Sequence, residues 1–157
     1  MTRSPTTGVT IQTQRLSLRA ANHSDEAFLD ELKHRPEVAD FIGSIVVPDT
    51  DADRVFTILE NNEPVGAVGI VKSGALDGTD VELICALLES AEGRGRAKEA
   101  CEAVIEWAGS TGLWTRLLAC ADDPNTRSRR LTKKLGFTWL TRRPYRDQDV
   151  FVLALNR

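Results

Sequence analysis

The chain has 157 residues, of which 41% are hydrophobic and 27% charged, with a net charge of −3; that length and balance suit one soluble domain with a buried core. No apolar run approaches the roughly 20 residues needed to cross a bilayer. The opening MTRSPTTGVTIQTQ is polar and lacks the apolar centre of an export signal, which argues against secretion and for the cytoplasm.

IQTQRLSLRA alternates through Ile11, Leu16 and Leu18 and reads as a first strand. Asn22 or Ser24 can cap a helix running to about His34, with Phe28, Leu29 and Leu32 inward. Pro36 blocks simple continuation, and PEVADFI suggests one or two further helical turns. DRVFTILENNEPVGAVGIVKSG is a hairpin signal, with Asn61, Asn62, Glu63 and Pro64 supplying the turn. DVELICALLES is apolar on both sides and fits the centre of a sheet.

A cluster of glycines and arginines follows and opens directly into a helix. Ala97, Ala100, Cys101, Val104, Ile105 and Ala108 form its inward stripe, and Gly109 and Gly112 end it. TRLLACA is another buried strand. DDPNTRSRRLTKKLG is a further helix, with Asp123 or Asn125 near its cap and Gly136 as its stop. FTWLTRR and DVFVLALN close the chain as an antiparallel hairpin around Pro144 and Tyr145. The alternation predicts an α/β (α+β) layered domain, helices covering a mostly antiparallel sheet. Cys85, Cys101 and Cys120 sit in apolar runs without CxxC or metal-type spacing and read as buried thiols in a reducing compartment.

The cluster AEGRGRAKEA is the most informative stretch. Backbone N–H groups at a helix start have no partner within the helix, and the helix dipole adds partial positive charge there. Gly93 and Gly95 permit positive φ and remove Cβ atoms that would hold a ligand off the main chain. Arg94, Arg96 and Lys98 add cationic reach. Together these favour a phosphate or pyrophosphate docked on amides. A P-loop needs GK[ST], but Gly95 is followed by Arg96 and Ala97. A dinucleotide fingerprint needs a third small residue where Lys98 stands. An acyl-coenzyme A pyrophosphate loop (polar, any, any, Gly, any, Gly or Ala) matches Glu92 to Ala97 except at its first residue.

With this loop, the chain resembles the GNAT superfamily of acetyl-CoA-dependent N-acetyltransferases, over nearly all of its length. It looks closest to the branch of ribosomal-protein N-terminal acetyltransferases. QTQRLSLRA, VGAVGIV and VELICALLES resemble that branch's strands. Asn125, Ser128 and Leu135-Gly136-Phe137 resemble its closing signature. The resemblance implies one GNAT domain over 1–157, with a mixed sheet splayed at its centre. It departs from the branch at Glu92, where Gln or Arg is usual, along Glu82 to Leu87, and in the short segment 41–54.

The implied activity is acetyl transfer from acetyl-CoA to an amine such as a peptide N-terminus. The pantetheine arm would pair like a strand beside Ala86 to Leu88, Leu87 and Leu88 included, with a free N–H at Leu87 or a neighbour polarising the thioester carbonyl. The implied pyrophosphate contacts are residues 92–98, with Asn125 and Ser128 beside the pantetheine. Glu82, the only charge inside VELICALL, is the candidate base, with a water chain as alternative and Glu89 in reserve. Ser128 shares an apolar stripe with Leu131 and Leu135 and is the candidate acid, because Leu131 stands where many relatives carry a tyrosine. A hydroxyl bonded back to its own helix would equally explain the serine. Tyr145 is placed near the acceptor.

Arg127, Arg129, Arg130, Lys133 and Lys134 form a basic face that reads as solvated, with one or two reaching the 3′-phosphate of coenzyme A. His23 and His34 carry no ligand pattern, so no metal is expected. Nor are nucleic-acid or membrane partners; a monomer or homodimer is. Residues 1–90 carry 7 Lys/Arg against 15 Asp/Glu, while residues 91–157 carry 13 against 8. The acidic half hints at a cationic amine acceptor. The competing reading is a GNAT-fold sensor that binds acyl-CoA without turnover.

Overall fold

The structure, a computed structural model, describes residues 9–34 and 54–155. Its frame is one eight-stranded sheet. In chain order the strands are β1 (Thr10–Gln12), β2 (Ser17–Ala20), β3 (Arg54–Glu60), β4 (Glu63–Lys72), β5 (Val81–Leu87), β6 (Arg116–Asp122), β7 (Thr138–Arg143) and β8 (Gln148–Ala154). Their spatial order is β1-β2-β3-β4-β5-β6-β8-β7. Three helices lie among the described residues: α1 (Glu26–Lys33), α2 (Arg96–Thr111) and α3 (Thr126–Lys134). This is the expected layered α/β architecture.

Neighbouring strands are antiparallel except at the centre, where β5 and β6 run parallel and share a single registered pair, Glu82 with Leu118. The excursion through α2 explains the change of direction, because parallel neighbours need a long crossover. Beyond that pair the two strands diverge, so the expected central splay is present.

Alternation along β5 sends its side chains into two cores. Val81, Leu83, Cys85 and Leu87 join the larger core beneath α2, with Phe56, Ile58, Val104 and Leu117. Ile84 and Ala86 join a smaller core with Leu29 and Leu32 of α1. Those two leucines are fully buried, each stabilising the fold by about 1.5–3 kcal/mol through apolar burial.

Several local expectations needed revision. The opening stretch is two short strands rather than one. Thr13 accepts the Leu16 N–H on its hydroxyl at 3.0 Å while its own N–H donates to the Leu16 carbonyl at 2.9 Å, closing a tight turn that folds β2 back on β1. The β3–β4 turn uses only Asn61 and Asn62, both at positive φ (53° and 67°), as a two-residue hairpin demands; Glu63 and Pro64 already belong to β4. Gly109 does not end α2, which continues to Thr111 and stops at Gly112 with φ 70°. Asn22 caps the single 3-10 turn His23–Asp25 that leads into α1, accepting the Ser24 N–H at 2.8 Å, and Ser24 lies inside that turn. The expected turns in PEVADFI and the short segment 41–53 lie outside the described residues. No helix among the described residues is long and apolar enough to cross a membrane.

Candidate active site

The loop between β5 and α2 is built to leave amides open. Gly93 and Gly95 sit at φ 83° and 80°, and no side chain caps α2. The first amide of this region with a recorded acceptor is Glu99, which donates to the Gly95 carbonyl at 3.0 Å. The N–H groups of residues 93–98 therefore have no acceptor among the described residues. Six adjacent donors at the positive end of a 16-residue helix make a strong anion site.

Long-range contacts hold the loop in place. Glu99 accepts from the Thr13 hydroxyl at 2.5 Å, the Arg15 N–H at 2.8 Å and Arg15 Nε at 2.7 Å. Arg15 also donates to the Arg94 carbonyl at 2.9 Å, so the β1–β2 turn clamps the loop to its helix. Burial opposes ionisation of Glu99, but the hydrogen bonds from Thr13 and Arg15 together outweigh it and hold its carboxyl below the usual range. Arg96 does not reach outward. Its Nε donates to Glu60 at 2.7 Å and the pair is mostly buried, so its side chain anchors the loop and only its backbone N–H faces the open site. Lys98 pairs with Glu102 one turn on. Arg94 is exposed and its side chain has no partner among the described residues.

Glu92, the residue that departs from the family pattern, accepts a close bond from Arg127 at the start of α3. The pair offsets a carboxylate that would otherwise repel phosphate and brings the first turn of α3 against the loop. Asn125 caps that helix, accepting the Ser128 N–H at 3.0 Å. The Ser128 hydroxyl makes no hydrogen bond among the described residues; it is Thr132 that bonds back, to the Ser128 carbonyl at 2.8 Å. Elsewhere on the basic face, Arg129 is held by Asp149 and Asp123.

The splay opens one edge of β5. Leu88 N–H donates to the Val65 carbonyl at 2.8 Å, and ladder alternation then turns the amides of residues 82, 84, 86 and 88 toward β4. Those of Cys85 and Leu87 face the gap. Leu88 is not brought into it, since its carbonyl is also taken, by the Ala91 N–H at 2.9 Å. Glu82 stands where the gap begins. Cys85 lies about 10 Å further along the strand and Leu87 about 16 Å, at roughly 3.3 Å per residue.

Around Glu82 the structure places groups that sequence patterns did not single out. Ser73, on the chain leaving β4, and Cys120 of β6 lie beside its carboxyl and, with Arg143 and Arg146, favour its charged form. Burial pushes Glu82 above the usual carboxylate range, and these groups pull it partly back. Burial, with the Glu82 charge, pushes the Cys120 thiol up to about 12. Arg143 donates to Tyr145 Oη and to Gln148, each at 3.0 Å, and lies 5.4 Å from the Tyr145 ring centre. Tyr145 is 77% exposed. Ser73 and Cys120 follow Val71 and Leu118 by two residues, and only strand pairing reveals that this puts them beside Glu82. Among the described residues no group of three or more His, Cys, Asp or Glu could hold a metal.

Residues 15–138 match the family model described as an acetyltransferase (GNAT) domain. No curated protein sequence matches the chain. Solved structures share its fold. An acetyltransferase from Agrobacterium tumefaciens is 24% identical at a TM-score of 0.75, covering 92% of this chain and 94% of its own. A ribosomal L7/L12 α-N-protein acetyltransferase in complex with coenzyme A is 16% identical at 0.76, covering 93% and 98%. A spermidine N-acetyltransferase from Vibrio cholerae, in complex with CoA and spermine, is 13% identical at 0.73, covering 90% and 96%.

Proposed function

The chain belongs to the acetyltransferase (GNAT) domain family, and on that premise we propose that it moves an acetyl group directly from acetyl-CoA to a primary amine, on a peptide N-terminus or a small molecule. The observation that carries the reading is the run of open amides at residues 93–98, beside a β-edge that is itself open. The amides would take the pyrophosphate, and the β5 edge would pair with the pantetheine like an added strand.

Within that frame the side chains divide the chemistry. An N–H facing the gap polarises the thioester carbonyl and holds the developing oxyanion. Cys85 is better placed for this than Leu87, because a carboxylate at Glu82 can reach an amine there through one water. Glu82 takes the proton of the attacking amine, and its raised pKa makes it a stronger base than an ordinary glutamate. Ser128, uncommitted at the first turn of α3, donates to the departing thiolate. Cys120 stays a thiol with its pKa near 12, which favours direct attack by the amine over relay through a cysteine. The acceptor side of Glu82 carries Arg143 and Arg146, so it is not the uniformly acidic pocket that the charge asymmetry suggests.

Thiol release from acetyl-CoA, measured against a panel of N-terminal peptides and polyamines, tests the reading. At least one amine should turn over. Glu82→Gln should lower kcat by about 10²–10⁴ without changing coenzyme A affinity. Tight binding with no turnover on any amine, and no effect of the substitution, would leave the sensor reading in its place.

A further inference from the structure

Glu82 has two polar neighbours that strand register, rather than chance, puts there. On the β4 side it pairs with Val71. Ser73 lies two residues on, just past the end of β4, where its N–H donates to the Asp80 carbonyl at 2.9 Å. On the β6 side Glu82 pairs with Leu118, and Cys120 lies two residues on. Steps of two keep side chains on one sheet face, so Ser73 is a diagonal ladder neighbour within reach of the Glu82 side chain, and Cys120 shares its face at the mouth of the splay. Ser73 is 1% exposed, and its hydroxyl accepts the Ala75 N–H at 3.2 Å. That bond uses an oxygen lone pair and leaves the O–H free to donate. Leu118 and Val150 form an apolar patch with Cys120 on the same face.

We propose that Ser73 and Cys120 are positioning residues that clamp the Glu82 carboxylate from its two flanking strands, keeping it aimed at the splay and in its charged form. This rests on the reading of Glu82 as the base. The physical need is plain. A carboxylate in a partly apolar site is driven toward its neutral form and is free to rotate away. Two donors, one on either side, oppose both tendencies. Cys120 suits the task because its thiol does not ionise in the working pH range, so it remains a donor throughout. The charged groups acting on Glu82 are Arg143, the last residue of β7, and Arg146, in the β7–β8 connection. Asp122 acts on Cys120 from one step further along β6. The α1 residues packed on this side of the sheet, Leu29 and Leu32, are apolar.

The test uses the full chain with Cys120→Ala, Cys120→Ser and Ser73→Ala. One readout is the acid limb of kcat/KM against pH, with acetyl-CoA and an accepted amine. The other is the carboxyl ¹³C titration of glutamate-labelled protein, with the Glu82 signal identified by its loss in Glu82→Gln. Each alanine variant should move the Glu82 midpoint and the acid limb up by about one unit, the scale of one hydrogen bond to a charged group. Cys120→Ser, which restores a donor, should return both toward wild type while coenzyme A affinity stays constant throughout. An unmoved Glu82 titration in Cys120→Ala overturns the proposal, as does a Cys120→Ser variant that behaves like the alanine. If the titration moves as expected but the acid limb survives Glu82→Gln, the clamp stands and the assignment of the base falls. Should Ser73→Ala fail to fold through loss of the Ala75 contact, the two Cys120 variants still decide.

Discussion

Gly95→Ala separates the role of backbone conformation in the loop from that of side-chain packing. Gly95 holds φ 80°, and a Cβ built there meets nothing nearer than the far end of Arg15 at 3.6 Å. The cost is therefore conformational rather than steric, about 1–2 kcal/mol for an L-residue in the left-handed region. The carbonyls on either side of Gly95 are held by Arg15 and by the Glu99 N–H, so any rotation toward negative φ that relieves this strain turns the open amides of residues 93–98 away from a ligand. Coenzyme A binding must then restore the original geometry, and the same 1–2 kcal/mol appears as a roughly 5- to 30-fold weaker Kd. Gly78 provides a matched control: it has φ 89° with nothing within 4 Å of its Cβ, and it lies in the loop between β4 and β5. Calorimetric titration of coenzyme A into both variants, with thermal melts alongside, gives the answer. Gly78→Ala should lose stability only. Wild-type affinity in Gly95→Ala, or an equal loss in Gly78→Ala, would refute the claim that this loop binds through its backbone.

Two further outcomes follow from the contacts around the loop. Glu60→Ala removes the partner of the mostly buried Arg96 and should cost about 1–3 kcal/mol of stability in urea denaturation, together with weaker coenzyme A binding. Lys98→Ala breaks only an exposed pair and should stay within about 0.5 kcal/mol of wild type. On α3, Asn125→Ala forfeits the cap and should cost about 1 kcal/mol. Ser128→Ala has no intramolecular bond of its hydroxyl to lose and should leave the melt unchanged while lowering kcat about 100-fold. Wild-type turnover in Ser128→Ala would remove it from the chemistry.

Much of this molecule was decided by short-range patterns. Asn61 and Asn62 form the hairpin turn because asparagine tolerates positive φ. Asn125 starts α3 because its side chain mimics a missing carbonyl. The glycines and the apolar stripe of residues 97–108 fix both the loop and the helix face, and Glu82 drew notice as a lone charge among apolar residues. Each of these signals is complete within about a dozen residues. What needed the tertiary structure is what depends on pairing between distant segments. The clamp from Thr13 and Arg15 onto Glu99 crosses more than eighty residues. The inward turn of Arg96 depends on Glu60, a neighbour only once β3 and α2 are packed. Ser73 and Cys120 flank Glu82 through strand register. Periodicity along one strand tells which face a side chain takes but not which strand lies beside it, so Glu82 was legible in the sequence as a candidate and its surroundings were not.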